Sequence, residues 1–368
     1  MVYKKEDYRE EWNEAWCPQC GDFGIREACY LALEKLQLDP HKTVIVSGIG
    51  CSSKGAHDFK VYAAHTLHGR PIPVATGIKL ANPNLKVIVH SGDGDCYGIG
   101  AGHFVNVGRY NVDLTVIVFD NSVYALTKGQ ASPTLKKGEQ PKSLPVPNIK
   151  DSINPIGIAL EANYSFIAQG YAYDVKGLAE LIANGINNKG ISLINVKQPC
   201  PTYDTVHTME YYTNAIRKLN DAIVLKKDLE KPIYVGIVKK PFDNYKIGQH
   251  VLVNEENYEK IKDFVNIVEF KRAGEVATLP KEIAEDLVSK GYAEKFSEKH
   301  LKDLNVAISI AEKNYVIPLV GKIYENRNND TYEERIAKRI ENYFEYPPAS
   351  QIICDNEGKP TTNIEPIW

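Results

Sequence analysis

Leu85–Asp95, LKVIVHSGDGD, and Asp113–Asn121, DLTVIVFDN, are the stretches that decide the fold. Each is a short run rich in β-branched apolar residues that stops abruptly at small, acidic or amide side chains. Strands that are apolar at nearly every position, rather than at alternate ones, belong in a parallel sheet covered on both faces. Residues 99–109 between them read as a helix, the crossover that parallel strands require. The unit recurs outward from this pair. Thr43–Ser47 is a β-branched strand and 71–81 is helical. Helical 152–162, strand 165–168, helical 175–186 and strand 191–196 follow. Upstream, 22–37 reads as an amphipathic helix with Ile25, Ala28, Cys29, Ala32 and Leu36 on one stripe. The fold class expected is α/β with a mostly parallel sheet. Ligands of such sheets bind beyond the carboxyl ends of the strands. The loops 48–55, 91–98 and 120–130 each follow a strand and should gather on one edge.

The chain has 368 residues, 43% apolar and 25% charged, with a net charge of −3. Those proportions are ordinary for a globular protein, and the charge balance offers no basic face for nucleic acid. The longest apolar stretches are strand-sized, far short of the ~20 residues of a membrane helix. The N-terminal MVYKKEDYREEW lacks the apolar core of a signal peptide. A cytoplasmic protein with neither membrane nor nucleic-acid partners is expected. Seven cysteines, an odd number, make a disulfide framework improbable there.

The texture changes near residue 230, dividing the chain into 1–230, a small α+β insertion module at 231–297, and 298–368. The last part has helical patterns at 300–313 and 332–343. It ends in an extended tail with Pro347, Pro348 and Pro360 that has little core of its own and should pack on another surface.

Trp16-Cys17-Pro18-Gln19-Cys20 admits three readings. A thioredoxin-like dithiol should follow a strand, and only polar sequence precedes this one. A zinc ribbon needs a second C-x-x-C pair some way on, and none exists. A four-cysteine iron–sulfur cluster would take Cys51 and Cys200 as well, both in loops after strands and both soft ligands. Cys29 and Cys96 read as buried hydrophobes, and Cys354 as incidental to the tail.

Gly92-Asp93-Gly94-Asp95 ends one strand, and Asn121, 28 positions after Asp93, ends the next. A lone Gly-Asp-Gly is a plain turn in most chains. Adjacent parallel strands, however, would set a carboxylate and an amide oxygen side by side. With a loop carbonyl such as that of Val123 and two diphosphate oxygens, they nearly complete the octahedral shell of Mg²⁺. Gly92 and Gly94 let backbone N–H groups approach the phosphates, and the helix that follows favours the same anion.

At this point the sequence resembles a known family. Gly-Asp-Gly with Asn some 28 residues on is the thiamine diphosphate fingerprint. The strings WCPQCGDFGI, SGIGCSSK, HTLHGRPIPVATGIKLANP, HSGDGDCYGIGAGHF and YALTKGQASPT resemble the β subunit of 2-oxoacid:ferredoxin oxidoreductases of the archaeal two-subunit type. The likeness runs from about residue 10 to 215 and resumes more weakly over 298–368. It implies a thiamine-diphosphate-binding fold and a [4Fe-4S] cluster on Cys17, Cys20, Cys51 and Cys200. Magnesium would lie on Asp93, Asn121 and the Val123 carbonyl. The cofactor would be lined by Gly50, Cys51, Ser52, His68, Gly92, Asp93, Gly94, Asp95, Asn121, Val123, Tyr124, Ala125 and Leu126. The implied reaction is CoA-dependent oxidative decarboxylation of pyruvate, 2-oxoglutarate or another 2-oxoacid, with electrons leaving to ferredoxin. An α subunit, or a fused α/γ one, would complete the site and receive the C-terminal tail. Two departures stand out: 231–297 has no counterpart in shorter relatives, and Ala125 replaces a frequent glycine.

Substrate, CoA and the keto oxygen are or become anionic, so donors are needed. Lys54, His68 and Lys128 are the candidates, with Leu126 beside the acyl chain. A non-redox thiamine-dependent decarboxylase or synthase, or a metal-binding scaffold subunit, would leave either the cysteines or the diphosphate constellation unexplained.

Overall fold

A computed structural model describes residues 2–11, 16–226, 233–238, 241, 243–244, 250–253, 257–270, 274–279, 281–314, 318–326 and 328–339. The extended tail expected at the C-terminus, Cys354 included, lies outside them. The chain forms two compact units: Met1–Thr208 with Asn326–Trp368, and Met209–Glu325.

The first unit is built on alternating helices and strands: α1 (Gly21–Leu36), β1 (Thr43–Ser47), β2 (Tyr62–His65), α2 (Pro71–Ala81), β3 (Lys86–Gly92), α3 (Ala101–Tyr110), β4 (Thr115–Asp120), α4 (Pro155–Glu161), β5 (Phe166–Tyr171), α5 (Val175–Asn187) and β6 (Ser192–Lys197). Its six strands are all parallel, in the order β2-β1-β3-β4-β6-β5. After β2 the chain returns to the other side of β1. The loops leaving β1 and β3 therefore diverge, and this is where an open α/β sheet forms its crevice.

β1 and β4 are buried at every position, as their unbroken apolar runs required. Ile45, Ile88, Ile117 and Ile194 from the sheet pack with Ile25 and Leu33 of α1 and with Ile182 and Ile186 of α5. α1 comes close to the segment that follows β5 because Gly24 has no side chain: a Cβ there would lie 2.0 Å from the Ala172 carbonyl oxygen.

Three features depart from the sequence reading. β2 was not anticipated, because Tyr-Ala-Ala-His is an edge strand with an exposed face and carries no apolar run. Cys51–Lys54 is a single helical turn rather than open loop. The helix expected from 99 begins earlier, as a wide turn over Gly94–Ile99 that feeds α3.

Of the two helices expected inside 298–368, the first is Leu304–Asn314, and the second, Tyr332–Ala337, packs on this chain's own α3–β4 corner. Tyr332 stacks on Tyr110 with ring centroids 5.3 Å apart. The Asp113 N–H donates to buried Glu333 at 3.2 Å.

In the second unit, Ile223–Leu225 pairs antiparallel with Val276–Ala277 and Ala293–Lys295. Ile233–Val238 pairs antiparallel with His250–Val253 and Val265–Phe270. The α+β character expected of 231–297 is present, but the compact unit is wider. A boundary at 230 would cut Ile223–Leu225 from both of its ladder partners.

Candidate active site

β3 delivers Asp93 to the carboxyl edge of the sheet. The side chain is 2% exposed. Its Oδ1 accepts the Gly94 N–H at 2.9 Å, and its Oδ2 accepts the Ser122 N–H at 3.0 Å and the hydroxyls of Ser132 and Thr134 at 2.5 and 2.6 Å. Burial and the charge of nearby Asp120 push the Asp93 carboxyl up, and the neutral donors offset this only in part. Burial would raise Asp120 too, but the Lys197 ammonium at 2.5 Å outweighs it and holds that carboxyl low. Asp93 is thus a buried carboxyl that its neutral donors leave raised.

Asn121, at the end of β4, is held by the Val123 N–H donating to its Oδ1 at 3.1 Å. Ser122 between them has φ 63°, so the chain turns sharply over Asp93. Val123–Tyr124 then pairs with Gln130–Ala131 as a small hairpin.

These ends surround a cleft of about 220 Å³. Ile49, Gly50, Cys51 and Ser52 line it from the β1 loop, Gly92–Asp95 from β3, and Phe119, Asn121 and Val123–Thr127 from β4, with His68 and Gln198 completing the wall. A Cβ on Gly94 would lie 2.2 Å from the Tyr124 ring, so backbone is all that fits there. Ser52 is 4% exposed and its hydroxyl has no hydrogen-bond partner. Such an orphan in a cleft wall is satisfied when a polar ligand enters.

Asp95 has a different part from Asp93. Its Oδ1 accepts the Ile49 and Gly69 N–H groups at 3.2 and 2.7 Å and meets His68 Nδ1 at 2.6 Å, while Ser91 donates to Oδ2. The carboxylate is consumed in bracing the β1 loop and orienting His68. The His68 ring faces Tyr124 with centroids 6.2 Å apart.

Of the residues expected from sequence, all but three groups meet in this cleft. Lys54 sits on the turn after Cys51 outside the cleft lining, and its charge acts on Asp22 and on Cys51 in the cleft wall. Lys128 is exposed, with φ 82°. Cys17, Cys20 and Cys200 lie outside the cleft lining, next door to it. Cys20 caps α1, and its thiol is raised by burial and by the charges of Asp22, Cys51 and Cys200. Burial pushes the Cys51 thiol to about 12, and Cys200 and Cys17 contribute. Cys200 is also raised by burial, an effect that the adjoining backbone of Tyr203, Thr202 and Asp204 offsets in part. Among the described residues no three His, Cys, Asp or Glu side chains close on one metal ion. Cys51 and Cys200 act electrostatically on Cys20, and Cys200 and Cys17 on Cys51, so these loops lie near one another. Trp16 donates to the Cys51 carbonyl at 2.8 Å and Tyr173 to the Gln19 carbonyl at 2.6 Å, which fixes the Cys17–Cys20 turn against the other loops.

Sequence reasoning missed Ile49, Phe119, Thr127 and Gln198. Gln198 directly follows β6, so the strand-end rule that found Asn121 would have found it. Asp22, buried between Cys20 and Gln198, gave no signal. Its carboxyl is pushed to about 6 by burial, and Gln198 donates to it at 2.8 Å.

Residues 48–196 match the thiamine pyrophosphate enzyme, C-terminal TPP binding domain. The chain is 45% identical over 359 residues to the 2-oxoacid:ferredoxin oxidoreductase subunit beta of Saccharolobus solfataricus, covering 97% of this chain and 96% of the relative. The chain belongs to the β subunits of the 2-oxoacid:ferredoxin oxidoreductases. The resemblance drawn from the motifs therefore extends across nearly the whole length of this β subunit, 231–297 included. A 2-oxoglutarate synthase subunit KorB from Archaeoglobus fulgidus is 34% identical over 225 residues, covering 61% of this chain and 84% of the relative. The structure is similar, with a TM-score of 0.67 and 26% identity, to a 2-oxoglutarate:ferredoxin oxidoreductase from Magnetococcus marinus with 2-oxoglutarate, coenzyme A and succinyl-CoA bound. That likeness covers 92% of this chain and 90% of the other. Among the described residues no helix is long and apolar enough to cross a membrane.

Proposed function

We propose that this β subunit holds the diphosphate of thiamine diphosphate through magnesium on Asp93, Asn121 and the Val123 carbonyl, and a [4Fe-4S] cluster on Cys17, Cys20, Cys51 and Cys200. With an α subunit it converts a 2-oxoacid and CoA to acyl-CoA and CO₂ in the cytoplasm, passing electrons to a ferredoxin. The observation that carries this reading is the β1 loop, where Cys51 and Ser52 are consecutive and both line the cleft. One turn of chain thus serves the cysteine set and the cofactor cleft, which keeps electron donor and first acceptor adjacent.

The cofactor supplies an electron sink for the decarboxylation and the cluster accepts electrons singly. The chain's own residues do the rest. Asp93, raised by burial without a cation, gains from a divalent ion. Gly92 and Gly94 leave room for phosphate oxygens, and the unpartnered Ser52 hydroxyl has a donor to give. His68, oriented by Asp95, can hold or move a proton at the cleft wall. Phe119, Val123 and Leu126 keep water from it. The backbone of Thr202, Tyr203 and Asp204 beside Cys200 favours an anionic sulfur. Lys54 belongs with the cysteine loops, and exposed Lys128 is placed for a CoA phosphate.

The test is cofactor and iron analysis of the enzyme purified with its partner subunit. Asp93→Ala should lose thiamine diphosphate and keep iron, whereas Cys200→Ala should lose iron and keep thiamine diphosphate. Wild-type cofactor affinity in Asp93→Ala, or full iron in Cys200→Ala, would remove that part of the proposal.

A further inference from the structure

His207 is 5% exposed and placed between two carboxylates. Its Nδ1 meets Asp204 Oδ2 at 2.7 Å and its Nε2 meets Glu139 Oε1 at 3.3 Å. We propose that His207 is a positioning residue that locks the Cys200–Asp204 turn to the loop behind the cleft rim.

Each end of the clamp is tied down. On one side, Asp204 Oδ1 accepts the Val206 and His207 N–H groups at 2.8 and 3.2 Å, and its own N–H donates to the Cys200 carbonyl at 3.0 Å. On the other, Glu139 Oε2 accepts the Lys136 N–H at 2.9 Å, and the Glu139 carbonyl accepts the Asn148 N–H at 2.8 Å. The Lys142 N–H donates to the Tyr203 carbonyl at 3.1 Å, a second tie between the same two segments. The cleft rim rests on this pair. A Cβ on Gly129, which closes the turn begun by Tyr124, would lie 2.5 Å from the Ser143 hydroxyl and 2.8 Å from Tyr203 Cβ.

The clamp is ionic. Burial alone would lower the imidazole, but the hydrogen bonds and charges of Asp204 and Glu139 raise it to about 9. Burial alone would raise Glu139, and His207 holds it below its ordinary value. A doubly protonated imidazole is the one ring form that donates to two acceptors at once. Charged, buried hydrogen bonds of this kind are strong, and removing one partner strands the others. Freed of the clamp, the Thr202–Asp204 backbone, which is tied to the Cys200 carbonyl and favours negative charge on its sulfur, loosens around it. The polar surroundings of cluster sulfurs are one of the protein's levers on a cluster's potential.

The inference rests on the cluster reading, so its test has one arm that does not. In the enzyme purified with its partner, limited trypsin cleavage after Lys137 and Lys142 and the reduction potential of the cluster are measured for wild type, His207→Leu and Glu139→Gln. His207→Leu should be cut about tenfold faster, reflecting the lost charged hydrogen bonds, and should shift the cluster to a more negative potential. Glu139→Gln keeps an acceptor but no charge, should move both readouts the same way by less, and carries the test if His207→Leu does not fold. A folded variant with wild-type cleavage rate and wild-type potential would overturn the proposal. A wild-type enzyme free of iron would overturn the cluster reading instead, leaving the clamp to be judged by cleavage alone.

Discussion

Gly24→Ala is expected to destabilise this protein although alanine is the better helix former. The added Cβ would lie 2.0 Å from the Ala172 carbonyl oxygen and 2.9 Å from its carbon. The obstacle is backbone, so no rotamer change relieves it, and α1 must move by roughly an ångström to restore ordinary contact. Overpacking of this kind costs about 1–3 kcal/mol, more when backbone must shift. The gain in helix propensity returns about 1 kcal/mol. The net expectation is a loss of about 2 kcal/mol, or a melting temperature lower by roughly 4 °C. Gly77→Ala in α2 and Gly102→Ala in α3 are internal controls, because a Cβ at either meets nothing within 4 Å. Those two should be neutral or slightly stabilising. Thermal unfolding of the purified complex, followed by ellipticity, separates the cases. Cys20 caps α1, so iron content measured on the folded Gly24→Ala protein should fall as well. A Gly24→Ala melting temperature equal to or above that of Gly77→Ala would refute the close-approach argument.

Acid stability should depend on His90. The ring is 1% exposed and burial lowers it to about 4, so it is neutral in the fold, whereas the unfolded chain protonates it near its ordinary 6.5. The stability this contributes is complete above pH 6.5 and falls away as pH drops toward 4, by about 3 kcal/mol. His90→Phe should flatten that slope in denaturant titrations at pH 4–7, and a slope identical to wild type would show that another group sets it. At the cleft rim Leu126 is 48% exposed, so Leu126→Asn should move kcat/KM toward a dicarboxylate over pyruvate by only roughly threefold, about 0.7 kcal/mol. Equal effects on both substrates would place acyl-chain selection elsewhere. Cys29→Ala should retain iron and thiamine diphosphate, because Cys29 is 4% exposed in the core of α1 and faces His90 at 3.8 Å; loss of iron on that change would mean that the cluster draws on a different set of thiols.

The parallel sheet was legible because its strands are buried on both faces, and double burial leaves an unbroken apolar run that needs no partner to be recognised. β2 left no such run, since an edge strand is defined by what it pairs with and Tyr-Ala-Ala-His has one face in solvent. Strand ends were legible for the same reason that ligands bind there. Asp93 and Asn121 are polar residues that terminate apolar runs, and the rule applied to β6 points equally to Gln198. The two lysines were harder. A lysine after a strand is a sound candidate donor, but its position on the rim depends on the path of a loop. Lys128 is carried outward by a left-handed backbone at φ 82°. Asp22 and His207 were illegible because their significance is tertiary: each is an ordinary polar residue in sequence, made consequential by burial against groups far away along the chain.

The cysteines and the diphosphate constellation come from five separate stretches of chain, and the sheet explains why four of them converge. β1, β3, β4 and β6 are contiguous in the sheet, although α4, β5 and α5 separate β4 from β6 in the chain. Cys51 follows β1, Asp93 follows β3, Asn121 follows β4, and Gln198 with Cys200 follows β6. A parallel sheet aligns all four carboxyl ends on one edge, with neighbouring strands only ~4.8 Å apart. Asp93 and Asn121 on adjacent strands suit a shared small cation. The two cysteine-bearing loops leave strands separated by β3 and β4, and the Cys17–Cys20 turn at the head of α1 closes the gap between them.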